Sequence, residues 1–466
     1  MRIVFLEPPL SLHPLGIFPR HPPQYALTAA AVLRDAGHDV SLVDAFHEDL
    51  SLAETAEKVA ALAPELLVIV PYDYTRETQP EVTTQLSRML ASRVPGLILG
   101  MAGSVDEPHF RRRMLAAPQL EFACVGEYES TMLSVAAHGG PCEGVTGLLL
   151  RRGDDVISTG PADVPTELDR LPFPAWDLVD FSRYIYVPHR FRRSPMYPLL
   201  AGRGCPFACL CCKEAKYAKI TRYRLRSVAN VMAEIRHAVV TWGAREIQFS
   251  DATFGLRRDW VFELCDALEA SGLGLSWSAI TRVDVVDRDM LRAMKRAGCW
   301  NLLYGIESAN QHALDLVRKK IDTRQAREAV AWTREAGIES TASFILGLPG
   351  EDVADVMRTI RFAARLDSDY AQFFLLKYYG DDSGLDEWGH VEREWDFSPH
   401  DFRGPIFVSN RIGSVAQLKA LQRIAYARFY LRPRFVMRHL RNLAQPGQWP
   451  RYAAGLKTLL GAVAGR

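Results

Sequence analysis

Cys205, Cys209 and Cys212 stand in Gly-Cys-Pro-Phe-Ala-Cys-Leu-Cys-Cys-Lys, a CxxxCxxC run flanked by glycine and proline. Three thiolates on so short a loop can hold three irons of a [4Fe-4S] cluster and leave the fourth iron open to another ligand. A structural zinc site would want a fourth ligand close by. The next cysteine downstream is Cys265, and the only histidine near in sequence is His189, before the loop. A cluster is the favoured reading, with zinc or unligated thiols as the alternative.

The rest of the chain must position that loop. At 466 residues it is too long for one ordinary core, so two or three domains are expected. Four of its eight cysteines fall between 205 and 212, which suits a reducing cytosol rather than a disulfide framework. A net charge of +1 gives no general attraction to nucleic acid. The N-terminal apolar run is too short for a signal peptide, and no stretch approaches the roughly 20 apolar residues of a membrane span. The expectation is a cytoplasmic protein.

Residues 1–140 alternate short apolar runs with helical patterns. Ile3–Leu6, Val40–Val43, Leu66–Val70 and Leu97–Leu99 read as buried parallel strands, and Tyr25–Arg34 as a helix that Gly37 closes. This predicts a doubly wound α/β sheet whose ligands sit beyond the carboxyl ends of its strands. The candidate loops are then Glu7–Gln24, Asp44–Asp49, Pro71–Thr75 and Gly100–Ser104, and none carries a dinucleotide GxGxxG. Residues 141–195 read as a linker with a hairpin turning at Gly153-Asp154-Asp155, followed by the stiff Leu171-Pro172-Phe173-Pro174-Ala175-Trp176. Over 196–385, six strand candidates alternate with helices: Leu199–Ala201, Glu246–Ser250, Leu275–Ile280, Asn301–Tyr304, Thr341–Leu346 and Gln372–Leu376. A partial or full βα barrel follows, with its chemistry at the strands' C-terminal ends. Residues 386–466 read as helical and Arg-rich, with Ile424, Ala427, Leu431 and Phe435/Val436 near helical spacing. That helix docks on its own domain or lies on a membrane.

Several motifs occur in the order seen in the cobalamin-binding-domain class of radical S-adenosylmethionine (SAM) enzymes. They are Gly126-Glu127-Tyr128-Glu129, Leu171 to Asp177, Gly202-Arg203-Gly204-Cys205-Pro206-Phe207, Ser250-Asp251-Ala252-Thr253-Phe254, Gly305-Ile306-Glu307-Ser308 and Gly347-Leu348-Pro349-Gly350-Glu351. The chain resembles that class over about 1–440. The resemblance implies a B12-binding-type Rossmann-like domain, a partial (β/α)6 barrel, a [4Fe-4S] cluster on Cys205, Cys209 and Cys212, SAM, and cobalamin. It also assigns SAM contacts to Phe207, Asp251, Arg282, Glu307, Ser308 and the Gly347-Leu348-Pro349 turn. Physically, Asp251 ends a strand where a carboxylate can accept from an ammonium, or it caps a helix. Arg282 can pair with a carboxylate of SAM or close a salt bridge at the barrel mouth, and Gly347 and Gly350 admit either an adenine or an ordinary turn.

Three departures from that class stand out. Cys211 occupies the place of an aromatic and competes as third ligand, although spacing selects Cys212. Asp44-Ala45-Phe46-His47 has the wrong spacing for an axial-histidine motif, and Gly100-Met101-Ala102-Gly103-Ser104 replaces a Gly-Gly-x-His. Finally, the sixth strand runs into Asp381, Asp382, Asp386 and Glu387, which form either a solvated loop or a seat for a cationic, amino-sugar-like substrate. The resemblance implies a small-molecule substrate and an electron donor, a flavodoxin- or ferredoxin-type protein or a dedicated reductase. It implies SAM cleavage to a 5′-deoxyadenosyl radical, then cobalamin-dependent methylation. Radical diol dehydration of an aminoglycoside-type substrate and oxidative cyclisation are the alternatives.

Overall fold

The computed structural model describes residues 1–9, 22–70, 80–103, 107–181, 184, 191–212, 222–377, 384–392 and 406–437. These form two compact units, one up to Tyr184 and one from Phe191 onward.

In the first unit, strands β1 (Arg2–Glu7), β2 (Asp39–Asp44), β3 (Leu66–Ile69), β4 (Ile98–Gly103) and β5 (Phe122–Val125) run parallel in the order β2-β1-β3-β4-β5. Their residues are apolar without alternation because both faces are covered. Ile3 and Phe5 pack with Ala26, Ala30 and Leu33 on one side, while Val4 and Leu6 pack with Val59 and Leu86 on the other. Strand order reverses between β1 and β3, the place where such sheets bind ligands. The fifth strand, Phe122–Val125, is an element the sequence reading lacks.

The hairpin assigned to a linker belongs to this sheet. Its strands β6 (Leu148–Arg152) and β7 (Asp155–Ser158) add antiparallel beyond β5, with Leu148, Leu149 and Leu150 buried. The proline-rich segment also packs: Ala175 donates to the Leu27 carbonyl at 3.0 Å and Trp176 is buried.

In the second unit, β8 (Met196–Leu199) leads to a two-stranded ribbon of β9 (Gly202–Arg203) and β10 (Arg224–Leu225). Strands β11 (Glu246–Phe249), β12 (Ser276–Thr281), β13 (Cys299–Glu307), β14 (Glu339–Leu346) and β15 (Tyr370–Leu375) continue from β8 in sequence order, all parallel. This is an open (β/α)6 partial barrel. Its outer helices start where the sequence offers caps, with Ser227, Asp287, Asp322 and Asp352 each accepting backbone N–H groups of the first turn.

The C-terminal region is not helical throughout. A ribbon of β16 (Gly389–Glu392) and β17 (Ile406–Ser409) precedes the helix Val415–Tyr430. The helix buries Leu418, Leu421, Ala425 and Phe429, whereas Ile424 is 41% and Leu431 67% exposed. The expected apolar stripe was therefore in the wrong register. What orients the helix is the free edge of β15. Gln422 donates to the Phe373 carbonyl at 2.7 Å, and Tyr430 donates to the Ala371 carbonyl at 2.7 Å and accepts from its N–H at 3.2 Å. Side chains spaced i, i+4, i+8 thus satisfy the open edge of the barrel. No helix among the described residues is long and apolar enough to cross a membrane.

Tyr430→Phe is expected to leave the Ala371 amide and carbonyl unpaired, costing about 1–3 kcal/mol. Denaturant unfolding measures the loss, and faster hydrogen exchange at Ala371 with unchanged exchange in β12 would place it at this edge.

Candidate active site

The cysteine loop follows β8, and its leading backbone is tied down before the first cysteine. Asp251, just beyond β11, is buried and accepts from the N–H groups of Ala201 at 3.3 Å and of Gly202. Gly202 allows this close approach, since a Cβ would lie 3.0 Å from the Arg224 carbonyl and 3.2 Å from Asp251 Oδ1. Arg226 donates to the Leu200 carbonyl at 3.0 Å and is itself held by Glu234, which accepts from Tyr197 at 2.8 Å. The structure thus places Asp251 under the loop, holding backbone. Burial pushes its carboxyl up to about 7, against the two amide donors.

Within the loop, Cys205 and Cys209 are buried and Cys212 is partly exposed. The Thr253 hydroxyl lies 3.6 Å from Cys205 Sγ, and Arg282 Nη1 reaches Cys209 Sγ at 3.8 Å. Cys211 instead packs with Leu210 against Ala313, Val317 and Leu348, where burial pushes its thiol well up. Cys211 is thus turned into an apolar cluster, away from the polar groups that meet Cys205 and Cys209.

Arg282, at the end of β12, is fully engaged. Its fork meets both oxygens of Asp284 at 2.9 Å, Nη2 donates to the Lys319 carbonyl at 2.9 Å, and the guanidinium lies 3.7 Å over the Phe207 ring. The mouth salt bridge is therefore present, and Arg282 clamps the cysteine loop through Phe207 and Cys209. Lys319, unnoticed in the sequence, sits beside it. Its ammonium is buried 2.7 Å from Glu307 Oε1, and its neighbours Arg318 and Lys320 adopt left-handed backbone at φ 55° and 54°. Burial works against the charged amine, but the adjacent Glu307 carboxylate outweighs it and holds the ammonium above its ordinary pKa.

Glu307 is turned inward by a register shift in β13 and takes a φ of 67°. A Cβ at Gly305 would lie 2.7 Å from Glu307 Oε1 and 3.0 Å from Lys319 Nζ, so any larger residue would push the ends of this ion pair aside. Ser308 points away into a fully buried network, donating to Glu351 Oε1 at 2.5 Å. Glu351 Oε2 accepts from the amides of Gly347 and Leu348 at 3.1 and 3.0 Å, and burial pushes its carboxyl up to about 7. The space at Gly347 is taken by Leu418, whose Cδ2 would be 2.6 Å from an added Cβ. Leu348 and Pro349 are buried in the same turn. The sequence carried no signal for Lys319. Asp284, two residues after Arg282, and Glu351, closing a Gly-Leu-Pro-Gly turn, were visible but given no role. Asp381 and Asp382 lie outside the described residues, and Asp386 and Glu387 are exposed.

In the first unit, the carboxyl end of β2 holds a buried cluster. Asp44 Oδ2 pairs with His47 Nδ1 at 2.6 Å and accepts from Tyr184 at 2.9 Å, while the Tyr184 ring lies 3.8 Å from that of His47. Gly100 makes room for Phe122, whose ring would meet an added Cβ at 2.2 Å. The loops after β1 and β3, with Tyr72 and Tyr74, fall at 10–21 and 71–79, outside the described residues.

The family model of the radical SAM superfamily matches residues 199–363, spanning the loop and the strands β10 to β14 after it. The anaerobic magnesium-protoporphyrin IX monomethyl ester cyclase of Synechocystis sp. is 30% identical over 364 residues, covering 76% of this chain and 70% of that protein. The chain belongs to the cobalamin-binding radical SAM superfamily. An uncharacterized methyltransferase of Pyrococcus horikoshii is 27% identical over 453 residues, 94% of this chain and 95% of that one. The fold is that of the radical SAM methyltransferase of Kitasatospora setae solved with cobalamin and a [4Fe-4S] cluster, at a TM-score of 0.64 and 18% identity over 81% of this chain and 72% of that one.

The cofactors of this radical SAM enzyme include a [4Fe-4S] cluster and SAM, and the loop after β8 offers that cluster sulfur donors of the right type. Cys205, Cys209 and Cys212 share one anchored loop, and Thr253, Arg282 and Lys319 offer polar or positive groups to anionic sulfur.

Two outcomes follow from the buried charges. Lys319→Met should lower the one-electron potential of the reconstituted cluster by roughly 60 mV, equivalent to about 1.4 kcal/mol, as a nearby positive charge is lost; an EPR-monitored redox titration reads it. Asp251 and Glu351 hold protons in the native state up to pH of about 7, whereas in the unfolded chain they lose them near pH of about 4. Between these values the native state binds more protons, so their contribution to stability falls as pH rises. Calorimetric melting should show this decline, and Glu351→Gln should flatten it.

Proposed function

We propose that this enzyme methylates a small-molecule substrate with cobalamin as methyl carrier, with Cys205, Cys209 and Cys212 as ligands of its cluster. The observation that carries the reading is likeness to a methyltransferase over nearly the whole length of both chains, with the doubly wound sheet included. Cobalamin is supported by that sheet, whose strand order reverses between β1 and β3, and by the cobalamin-bound enzyme of the same fold. When bound, the cluster supplies an electron, SAM supplies the transferable groups and cobalamin supplies the methyl carrier.

The chain's own residues do the positioning. Phe207 and Cys209 are clamped by Arg282, and Asp251 holds the backbone ahead of Cys205, so the three thiolates keep their spacing. Glu307 and Lys319 form a buried ion pair at the strand end, where either can hydrogen-bond the polar end of SAM. The turn Gly347-Leu348-Pro349 offers a rigid apolar wall to the adenine, its amides already committed to Glu351. Ser308 acts through Glu351 rather than at the mouth. An external one-electron donor of the flavodoxin or ferredoxin type, or a partner reductase, completes the system.

Oxidative cyclisation is the second reading, favoured by the identity to the magnesium-protoporphyrin ester cyclase. Product analysis separates the two. S-adenosylhomocysteine with 5′-deoxyadenosine supports methylation; 5′-deoxyadenosine alone, with no methylated product, overturns it in favour of cyclisation.

Cys205→Ala, Cys209→Ala and Cys212→Ala should each abolish the cluster absorbance and SAM cleavage, while Cys211→Ala keeps both. Iron counts after anaerobic reconstitution are the check. A cluster retained in Cys212→Ala and lost in Cys211→Ala would reverse the ligand assignment.

A further inference from the structure

We infer that the outer face of the barrel carries an anion site for a small oligophosphate ligand, in the groove between the helices Thr323–Glu335 and Val353–Leu366. The groove is open to solvent and holds about 420 Å³, and five of its ten lining residues are arginines, all exposed. They are Arg327 and Arg334 from the first helix, and Arg358, Arg361 and Arg365 from the second. No acidic residue and no lysine lines it.

Fold stability accounts for only part of this charge. Arg334 pairs with Asp367 at 3.2 Å and Arg358 with Asp355 at 2.7 Å. Arg327 lies 5.1 Å over the Phe362 ring. Among the described residues, Arg327, Arg361 and Arg365 have no carboxylate partner. Arg365 complements the C-terminal end of its helix, but Arg327 and Arg361 have no such employment. Arg358, Arg361 and Arg365 recur at i, i+3, i+7, so they share one stripe, where like charges destabilise a helix unless something neutralises them.

The ligand class follows from the donor set. Guanidinium forks match phosphate oxygens two at a time, and an all-arginine wall favours that geometry over a point-charge match. Several forks around one small cavity suit two or three linked phosphates better than one. The small side chains of Ala309 and Ala331 leave the space, and the Thr323 hydroxyl adds a polar group at one end. Ala309 lies two residues after Glu307, so the groove reaches the backbone that shapes the mouth.

Isothermal titration of the anoxic holoenzyme with pyrophosphate at low salt tests the site, with cluster absorbance followed throughout. One site per chain is expected. Arg361→Ala combined with Arg365→Ala should weaken it by about tenfold or more, the loss typical of a charge-assisted hydrogen bond. The Lys/Lys double variant should weaken it several-fold despite unchanged charge, and Arg292→Ala, outside the groove, should not weaken it. Tripolyphosphate and ATP form the second arm: equal affinities mark a free oligophosphate, and tighter ATP marks a nucleotide. Equal pyrophosphate affinity in wild type and both double variants would overturn the inference. So would an oligoglutamate peptide that binds through Arg361 and Arg365 where pyrophosphate does not, since that means an acidic protein partner.

Discussion

Three cysteine side chains act as one set of ligands only if the backbone between them cannot drift, and here that rigidity depends on a buried carboxylate. Asp251 spans from the end of β11 to the amides of Ala201 and Gly202, pinning the chain where it leaves β8. Those amides would otherwise be buried without partners, a cost that forces the loop to this geometry. Arg226, Glu234 and Tyr197 do the same for the Leu200 carbonyl. At the other end of β11, Glu246 accepts from the amides of Arg192 and Arg193 and from Trp300 and Ser276. A glycine- and proline-rich loop is thereby fixed by side chains from neighbouring strands.

The barrel mouth is a balanced set of buried charges. Glu307 and Lys319 neutralise one another, as do Arg282 and Asp284, and Arg282 joins the two pairs through the Lys319 carbonyl. Such groups are costly to bury singly and tolerable together. Compensated charges keep a net positive lean toward the cysteine sulfurs, which suits an anionic cluster. The low dielectric that makes an unpaired ion expensive also strengthens whatever a bound ligand adds.

A six-stranded barrel leaves edges, and the structure manages one of them explicitly. The helix Val415–Tyr430 lies along β15 and gives its backbone Gln422, Tyr426 and Tyr430. The same helix inserts Leu418 against Gly347, so the edge seal and the glycine turn at the mouth are one packing unit. Glu351 joins that unit to Ser308 and to the Ser409 hydroxyl, which donates to its carbonyl at 2.8 Å. Substitution in the C-terminal helix therefore reaches the site through contacts rather than chemistry.

Local pattern was enough to establish much of this. Apolar runs at Ile3–Leu6, Val40–Val43 and Thr341–Leu346 announced parallel strands because residues buried on both faces need no alternation. CxxxCxxC with Gly-Ile-Glu-Ser and Gly-Leu-Pro-Gly-Glu in order identified the family. These signals are legible because each depends on neighbours in sequence. Tertiary structure alone decided what long-range pairing controls. The hairpin at 148–158 joined the first sheet because β5 offered an edge. The C-terminal helix chose its buried face from the hydrogen-bonding needs of β15, which its own periodicity does not encode. The resemblance assigned ligand contacts to Asp251 and Ser308, yet in the structure their polar atoms meet the Ala201 and Gly202 amides and Glu351. Lys319 was invisible because its position comes from two left-handed residues and a carboxylate twelve residues away. Sequence by itself determined the family and the alternation of strand and helix; only folding decided which charges meet, because burial and partnership are properties of the packed chain.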